Sequence, residues 1–368
     1  MRTLCLLIAA AISSHAAVTT VRVPNGGIQP QLVQRDGVVH LIYFQGAPEN
    51  GDLFYVRSTD YGATFSKPLP VNHTPGSAIA VGNIRGAQLA VGRKGRVYVA
   101  WNGTAPTGRL PMLFTRLNDS GTAFEPERNL IQKAYGLDGG GTLAADDQGH
   151  VYVFWYAPIP GTTGEQNRRV WIAKSANDGA AFDSERVAFD SPVGACGCCG
   201  MKASADTNGV YVLFRAADQI VHRDIWMLTS HDSGSTFQGA DISRWEIGAC
   251  VMSAAELTPS ADGMLAAWET EKQAYFGFVK NGAVTAPVAA AGKPVNRKFP
   301  VLAVNPRGEI LFAWTEGMAW KKPGSVQWQT FDKTGHAIAE NTAGITGVPV
   351  WSVIAAFAKP NGDFAIIY

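Results

Sequence analysis

Apolar and polar positions alternate in short runs along this chain, and each run breaks at a polar residue followed by glycine. The pattern appears as QLVQRDGVVHLIYF from Gln31, QLAVGRKGRVYVAW from Gln88, TLAADDQGHVYVFW from Thr142 and KASADTNGVYVLFR from Lys202. It returns as AELTPSADGMLAAW from Ala255, VLAVNPRGEILFAW from Val301 and IAAFAKPNGDFAIIY from Ile354. A period of two predicts strands, and the polar-Gly pair between them predicts a tight hairpin turn. The turn glycines, Gly37, Gly95, Gly149, Gly209, Gly263, Gly308 and Gly362, lie 45 to 60 residues apart. A supersecondary unit repeated at that period predicts an all-β array of similar sheets.

A second pattern lies between the hairpins. It reads STDYGATF at 58–65, LNDSGTAF at 117–124, SANDGAAF at 175–182 and SHDSGSTF at 230–237, with its glycines 59, 58 and 55 residues apart. The side chain of Asp60, Asp119, Asn177 or Asp232 can bond nearby backbone N–H groups, glycine permits positive φ, and the closing Phe can anchor the turn. These four residues are read as structural. Leu117 stands where Ser is expected in the second copy and Asn177 where Asp is expected in the third, which predicts looser turns there.

The four copies resemble the Asp-box, or bacterial neuraminidase repeat, of sialidase-superfamily β-propellers. The resemblance implies a single β-propeller over 18–368, with six to seven four-stranded blades. The hairpins supply the two inner strands of each blade, and the box turns the third strand into the fourth. Counting hairpins favours seven blades, whereas sialidases imply six. The last hairpin has nothing after it, so the strand TTVRVP at 19–24 is expected to complete that sheet and close the ring, which removes most exposed sheet edges.

In such a wheel the hairpin turns and Asp boxes fall on one face. The loops leading into inner strands, and those leaving second strands, fall on the other. The lead-in loops carry Arg85 in GNIRGAQ, Asp138 beside three glycines in YGLDGGG, and Arg297 with Lys298 in NRKFP. Loops after second strands add Glu269, Glu271 and Glu316, and VHRDIW adds His222, Arg223 and Asp224. Arginine pairs bidentately with carboxylates, and Asp or Glu can act as general acid and base, so this rim suits an anionic or sugar ligand. The same groups also suit salt bridges between blades. By resemblance to sialidases, Arg85, Arg223 and Arg297, with Lys298, are candidate substrate-binding residues. Asp138 is the candidate acid, and Glu269 or Glu316 the support for a nucleophile. The sequence departs from the family: VRVPNGG only loosely matches its opening Arg-Ile-Pro, no Tyr occupies an obvious rim position in the last blades, and Tyr156 leaves blade three. A glycoside hydrolase and a non-catalytic ligand- or protein-binding propeller are both open readings.

Cysteine usage adds a third possibility. The first residues, MRTLCLLIAAAISSHAAVTT, pair Arg2 with an apolar run from Leu4 to Ile12 and a small-residue cleavage site, which predicts a signal peptide over 1–17 that removes Cys5. Export predicts a secreted or periplasmic protein in which disulfides form. Cys196, Cys198 and Cys199 in GACGCCGMK and Cys250 in GACVMS lead into neighbouring blades. One reading joins Cys250 to one of the three, closing about 50 residues for roughly 4 kcal/mol of chain entropy. A second sets the thiols with Met201, Met252 and Met318 as a soft Cu(I) site, although no cofactor is required by the fold. A third is a reactive thiol, for which His222 is the one candidate base. Trp101, Trp155, Trp268 and Trp314 recur at one repeat position and are expected in the core.

Charge excludes other classes. With 31 Lys+Arg against 30 Asp+Glu and no basic run, nucleic acid is an unexpected partner. No further apolar segment approaches the ~20 residues of a membrane helix. A monomer acting on a carbohydrate or another small anion is expected.

Overall fold

The computed structural model describes residues 16–105, 108–190, 192–218, 221–285, 287–338 and 343–368. The proposed signal segment, Cys5 included, lies outside them apart from Ala16 and Ala17. The chain is a seven-bladed β-propeller. Seven separate sheets follow one another in sequence order, and regular helix among the described residues is limited to three single 3-10 turns. Blade one is Ile28–Arg35, Val38–Ala47, Asn50–Ser58 and Leu69–Pro70, each strand antiparallel to the next. Blades two to six repeat the plan from inner strands Gln88–Val91, Thr142–Ala145, Lys202–Ala205, Glu256–Ser260 and Arg297–Val304.

The closing sheet differs. Its hairpin, Ala355–Ala358 with Phe364–Ile367, is completed by Val18–Val21, which runs parallel to Phe364–Ile367 with Val18 opposite Phe364 and Val21 opposite Ile367. The strand expected to close the ring does so, as a third strand. Arg22, just beyond it, donates to the Gly347 carbonyl at 2.6 Å and stacks on the Tyr368 ring.

Second strands are buried along both faces. Val210–Ala217 is buried throughout, and Val151–Pro158 nearly so. Each such strand lies in a sheet covered by the next blade on either side, which is why its sequence is a continuous apolar run instead of an alternation. Trp101, Trp155, Trp268 and Trp314 lie in the latter half of these strands and are all fully buried. The seven inner strands line a central channel with a cavity of about 480 Å³. Ile84, Phe299, Val353 and Ile354 pack together across its lead-in end.

The box turns are held by the bonds their sequence suggests. The Ser58 hydroxyl accepts from Gly62 N–H at 2.8 Å and donates to Asp60, whose carboxylate accepts from the N–H and hydroxyl of Thr64 at 2.9 and 2.6 Å. The Thr64 and Ser58 hydrogen bonds hold Asp60 down at a pKa of about 2. Ser230 with Asp232 repeats the arrangement, and Ser175 with Asn177 repeats it with one bond fewer, as expected, since Ala181 has no hydroxyl to match that of Thr64. The second turn corrects the expectation for Asp119. There Asn118 Oδ1 accepts from Thr122 N–H at 3.0 Å, while Asp119 is exposed and pairs with Arg96. With Leu117 in place of Ser, no hydroxyl ties the turn at that position, and the acceptor role passes one residue back.

Candidate functional site

The loops leading into inner strands meet on the face opposite the box turns, and two clusters form there. The first is open to solvent. Arg85 donates from Nε to the Asp138 carbonyl at 2.8 Å and from Nη2 to Oδ1 of the Asp138 carboxylate at 3.2 Å. Arg168, which starts the third strand of blade three, takes the other oxygen, Oδ2, at 3.2 Å. Glu165 continues the chain of charges to Arg168 at 3.7 Å and to Arg223 at 2.9 Å. Asp138 keeps 44% of its side chain accessible.

Close backbone packing builds this cluster. A Cβ on Gly139 would lie 1.6 Å from the Gly197 carbonyl oxygen, and one on Gly140 would lie 2.0 Å from that of Ile84. The glycines Gly139 and Gly140 beside Asp138 are therefore room for neighbouring loops.

Next to Arg85 stands a residue that sequence reasoning missed. Trp320, on the loop leaving the second strand of blade six, is 51% exposed and lies edge-on to Trp351 with ring centroids 4.7 Å apart. Gly82 sits between the two groups: a Cβ there would meet Arg85 Nη1 at 2.7 Å and Trp320 Cζ3 at 3.7 Å. Lys321 and Lys322 follow, both exposed. A large exposed aromatic on a rim loop was the available signal, in WTEGMAWKK.

The remaining rim candidates are drawn into the protein. Arg223 is 2% exposed and gives its N–H groups to Glu165 and to the carbonyls of Ala249 and His222. Arg297 is buried between blades five and six, donating to Glu316 at 2.9 Å, Gln273 at 2.6 Å and the carbonyls of Ala290 and Ala291. Glu316 is taken by Arg297 and by Trp314 Nε1 at 2.9 Å. The sialidase-like use of Arg223, Arg297 and Glu316 therefore does not match the geometry, because the two arginines are buried with their N–H groups taken and Glu316 is held within blade six by Arg297 and Trp314. Only Arg85 and Asp138 among the candidates meet on an open surface.

The second cluster is buried, between blades four and five. Cys198 and Cys250 form a disulfide across 52 residues. The Cys196 and Cys199 thiols are buried beside it, 2.6 Å apart at sulfur, with Cys196 Sγ 3.4 Å from Cys198 Sγ. Arg215 lies behind them, 3% exposed, stacked on Trp245 and donating to the carbonyls of Arg223 at 2.7 Å and Glu269 at 2.6 Å. Lys298 donates to the carbonyls of Val251 and Met252. Burial works against the Cys199 thiolate, but the hydrogen bond from Cys196 and the charge of Arg215 prevail and bring its pKa down to about 7. Cys196, the donor in that pair, is pushed up. Burial raises the Glu269 carboxyl against the pull of Arg215 and Lys298, and burial lowers Lys298 against the pull of Glu269 and Cys199. The Glu269 carboxyl and the Tyr156 hydroxyl are also buried beside this cluster.

The three sulfurs of Cys196, Cys198 and Cys199 lie within 4.8 Å of one another, a donor set for a soft metal once Cys198 leaves its disulfide. Two methionines of the copper reading lie elsewhere, Met201 in the core between blades three and four and Met318 in that between blades six and seven, while Met252 follows Cys250 by two positions. His222 faces Glu246 at 3.9 Å.

No protein family and no curated protein matches this sequence. Solved structures do match. A PL25 ulvan lyase bound to -[GlcA(1-4)Rha3S]- has a TM-score of 0.54 at 12% identity, covering 90% of this chain and 88% of its own. The phage phi92 endosialidase has a TM-score of 0.52 at 10% identity, with 92% and 71% covered. The Hadza microbial sialidase Hz136 has a TM-score of 0.51 at 10% identity, with 84% and 69% covered. The likeness is one of fold. Among the described residues no helix is long and apolar enough to cross a membrane.

Proposed function

We propose that this chain is an exported, glycan-directed propeller that binds an acidic saccharide on its lead-in face. The observation that carries the reading is the placement of exposed Trp320, braced by Trp351, beside the Arg85–Asp138 pair. An aromatic face takes the apolar side of a sugar ring, and nearby cations select an acidic one. Arg85 and Arg168, with Lys321 and Lys322 beyond, supply positive charge around the half-exposed Asp138 carboxylate. The ulvan lyase of similar fold is bound to a saccharide containing GlcA, a ligand of the same chemical class. Asp138 is the carboxylate positioned to meet a bound sugar, so any cleavage would run through it as acid or base.

Calorimetry with acidic and neutral oligosaccharides tests the binding, and release of reducing ends or unsaturated products tests cleavage. Binding of acidic oligosaccharides that weakens in Arg85→Gln supports the reading. Turnover that disappears in Asp138→Asn would make the protein an enzyme, and binding without turnover would make it a receptor. Absence of binding to every acidic saccharide would end the proposal.

A further inference from the structure

The buried sulfurs make chemical sense as a sequence of exchange partners. Four cysteine sulfurs lie in successive contact, and their surroundings differ from one end of the set to the other. Cys250 is exposed and Cys198 half-buried, while Cys196 and Cys199 are fully buried. The outer two are bonded to each other and the inner two are thiols in contact. Cys196 and Cys199 have the Cys-x-x-Cys spacing that closes readily into a disulfide, and Cys196 already touches Cys198. The lead-in loop is fixed for this arrangement: Cys196 N–H donates to the Arg215 carbonyl at 3.0 Å, Cys199 N–H to the Cys196 carbonyl at 3.2 Å, and Gly200 N–H to the Ser253 carbonyl at 2.9 Å. A structural staple needs only the outer pair, so the inner dithiol and its cationic backing are left unexplained by stapling.

We propose that these four cysteines form an internal thiol–disulfide relay, in which the buried Cys196–Cys199 dithiol reduces the Cys198–Cys250 disulfide and so presents a reducing thiol at Cys250 to an external disulfide. The steps balance within the chain. Cys199 takes the Cys196 proton across their contact, and the Cys196 thiolate attacks Cys198 Sγ. The Cys196–Cys198 bond forms, the Cys198–Cys250 bond breaks, and Cys250 leaves as a thiolate that solvent protonates. Cys199 then attacks Cys196, its proton passing to the departing Cys198 sulfur. One disulfide and two thiols are present before and after, and two electrons have moved from the buried pair to the outer pair. Cys250 next attacks a disulfide on an incoming molecule, and Cys198 resolves the mixed disulfide, so that two thiols leave and both pairs of the chain end oxidised. An external dithiol recharges the site. Arg215 lies at the back of the inner pair, buried and stacked on Trp245.

Mapping bonds by mass spectrometry after rapid alkylation of the folded single-disulfide protein tests the relay. The expected result is a fraction of chains carrying label on Cys198 and Cys250 with Cys196 bonded to Cys199. Addition of an aromatic disulfide reagent should release two aromatic thiolates per native chain and leave both disulfides formed. Cys199→Ser should cut that release to at most one thiolate per chain, since without Cys199 the Cys196–Cys198 bond is not resolved and Cys250 is left in a mixed disulfide. If local opening were responsible instead, the label would fall on Cys196 and Cys199 while Cys198–Cys250 stayed intact, and the relay would be wrong. It would be equally wrong if alkylation reached no cysteine until denaturant was added. Both wild-type readouts stand even if the variant fails to fold.

Discussion

Trp320 leans its ring against the edge of Trp351, and half of its surface stays open beside Arg85. Trp351 holds that position with φ at 64°, a left-handed conformation that bulky side chains seldom adopt. The pair is thus a braced platform on the rim. Trp320→Ala should weaken binding of an acidic oligosaccharide about tenfold, or about 1.4 kcal/mol. Trp320→Phe should keep most of the affinity, and both variants should melt close to wild type because the ring is largely exposed. Titration calorimetry beside thermal melting separates these outcomes. Equal affinity in Trp320→Ala would remove the platform from the site.

The shifted turn in the second blade gives a paired test of stability. Asn118→Ala removes the acceptor for the Thr122 N–H and should cost about 1 kcal/mol, as loss of a side-chain cap does. Asp119→Ala removes only an exposed partner of Arg96 and should leave the unfolding midpoint within experimental scatter. Chemical denaturation that ranks the two variants the other way would restore Asp119 to the turn.

His40 links stability to pH. It lies on the second strand of blade one with Nδ1 2.7 Å from the Tyr55 hydroxyl, and burial, then the charges of Arg57 and Arg35 against that of Asp36, hold its pKa at about 4. The unfolded chain titrates this group near 6.5, so protons favour the unfolded state as pH falls. Its contribution is complete above about pH 6.5 and is lost between there and about pH 4, up to about 3 kcal/mol. His40→Gln should flatten that stretch of the stability profile, read as the denaturation midpoint at successive pH values. A wild-type midpoint constant over that range would contradict the assignment.

Arg215 helps the Cys196 hydrogen bond to lower Cys199 against burial. Arg215→Leu removes the charge that lowers Cys199, and its titration midpoint should move up from about 7. The Cys199 Cβ chemical shift followed against pH reports the change. An unmoved midpoint would mean that the Cys196 hydrogen bond alone governs the group.

Much of the wheel could be read from the chain because each blade writes the same pattern. The alternating hairpins and the box turns specify strands, turns and their order, and the apolar run ending at Trp155 marks a strand covered on both sides. The site was less legible, since a rim charge looks the same in sequence whether it meets solvent or a neighbouring blade. Arg297 and Arg85 occupy comparable lead-in loops, yet one is sealed between blades and the other is open. Arg215 was detectable by its misfit: it occupies the repeat position held by Trp101, Trp155, Trp268 and Trp314, where a core aromatic belongs. A charged residue at a position reserved for packing is a local rule broken, and such breaks concentrate where chemistry is done. Trp320 lay outside the repeat, so no periodicity drew attention to it.

The parallel pairing of Val18–Val21 with Phe364–Ile367 has a consequence for the life history of the molecule. Val18 and Phe364 are neighbours in space but 346 positions apart along the backbone. A growing polypeptide cannot zip the wheel shut until its final strand has been made, and contacts of such long reach form slowly. Blades assembled earlier must wait with a raw flank, vulnerable to misjoining with other copies. A chain handed across a membrane before that last strand emerges would still be open, and would complete its circle only on the far side.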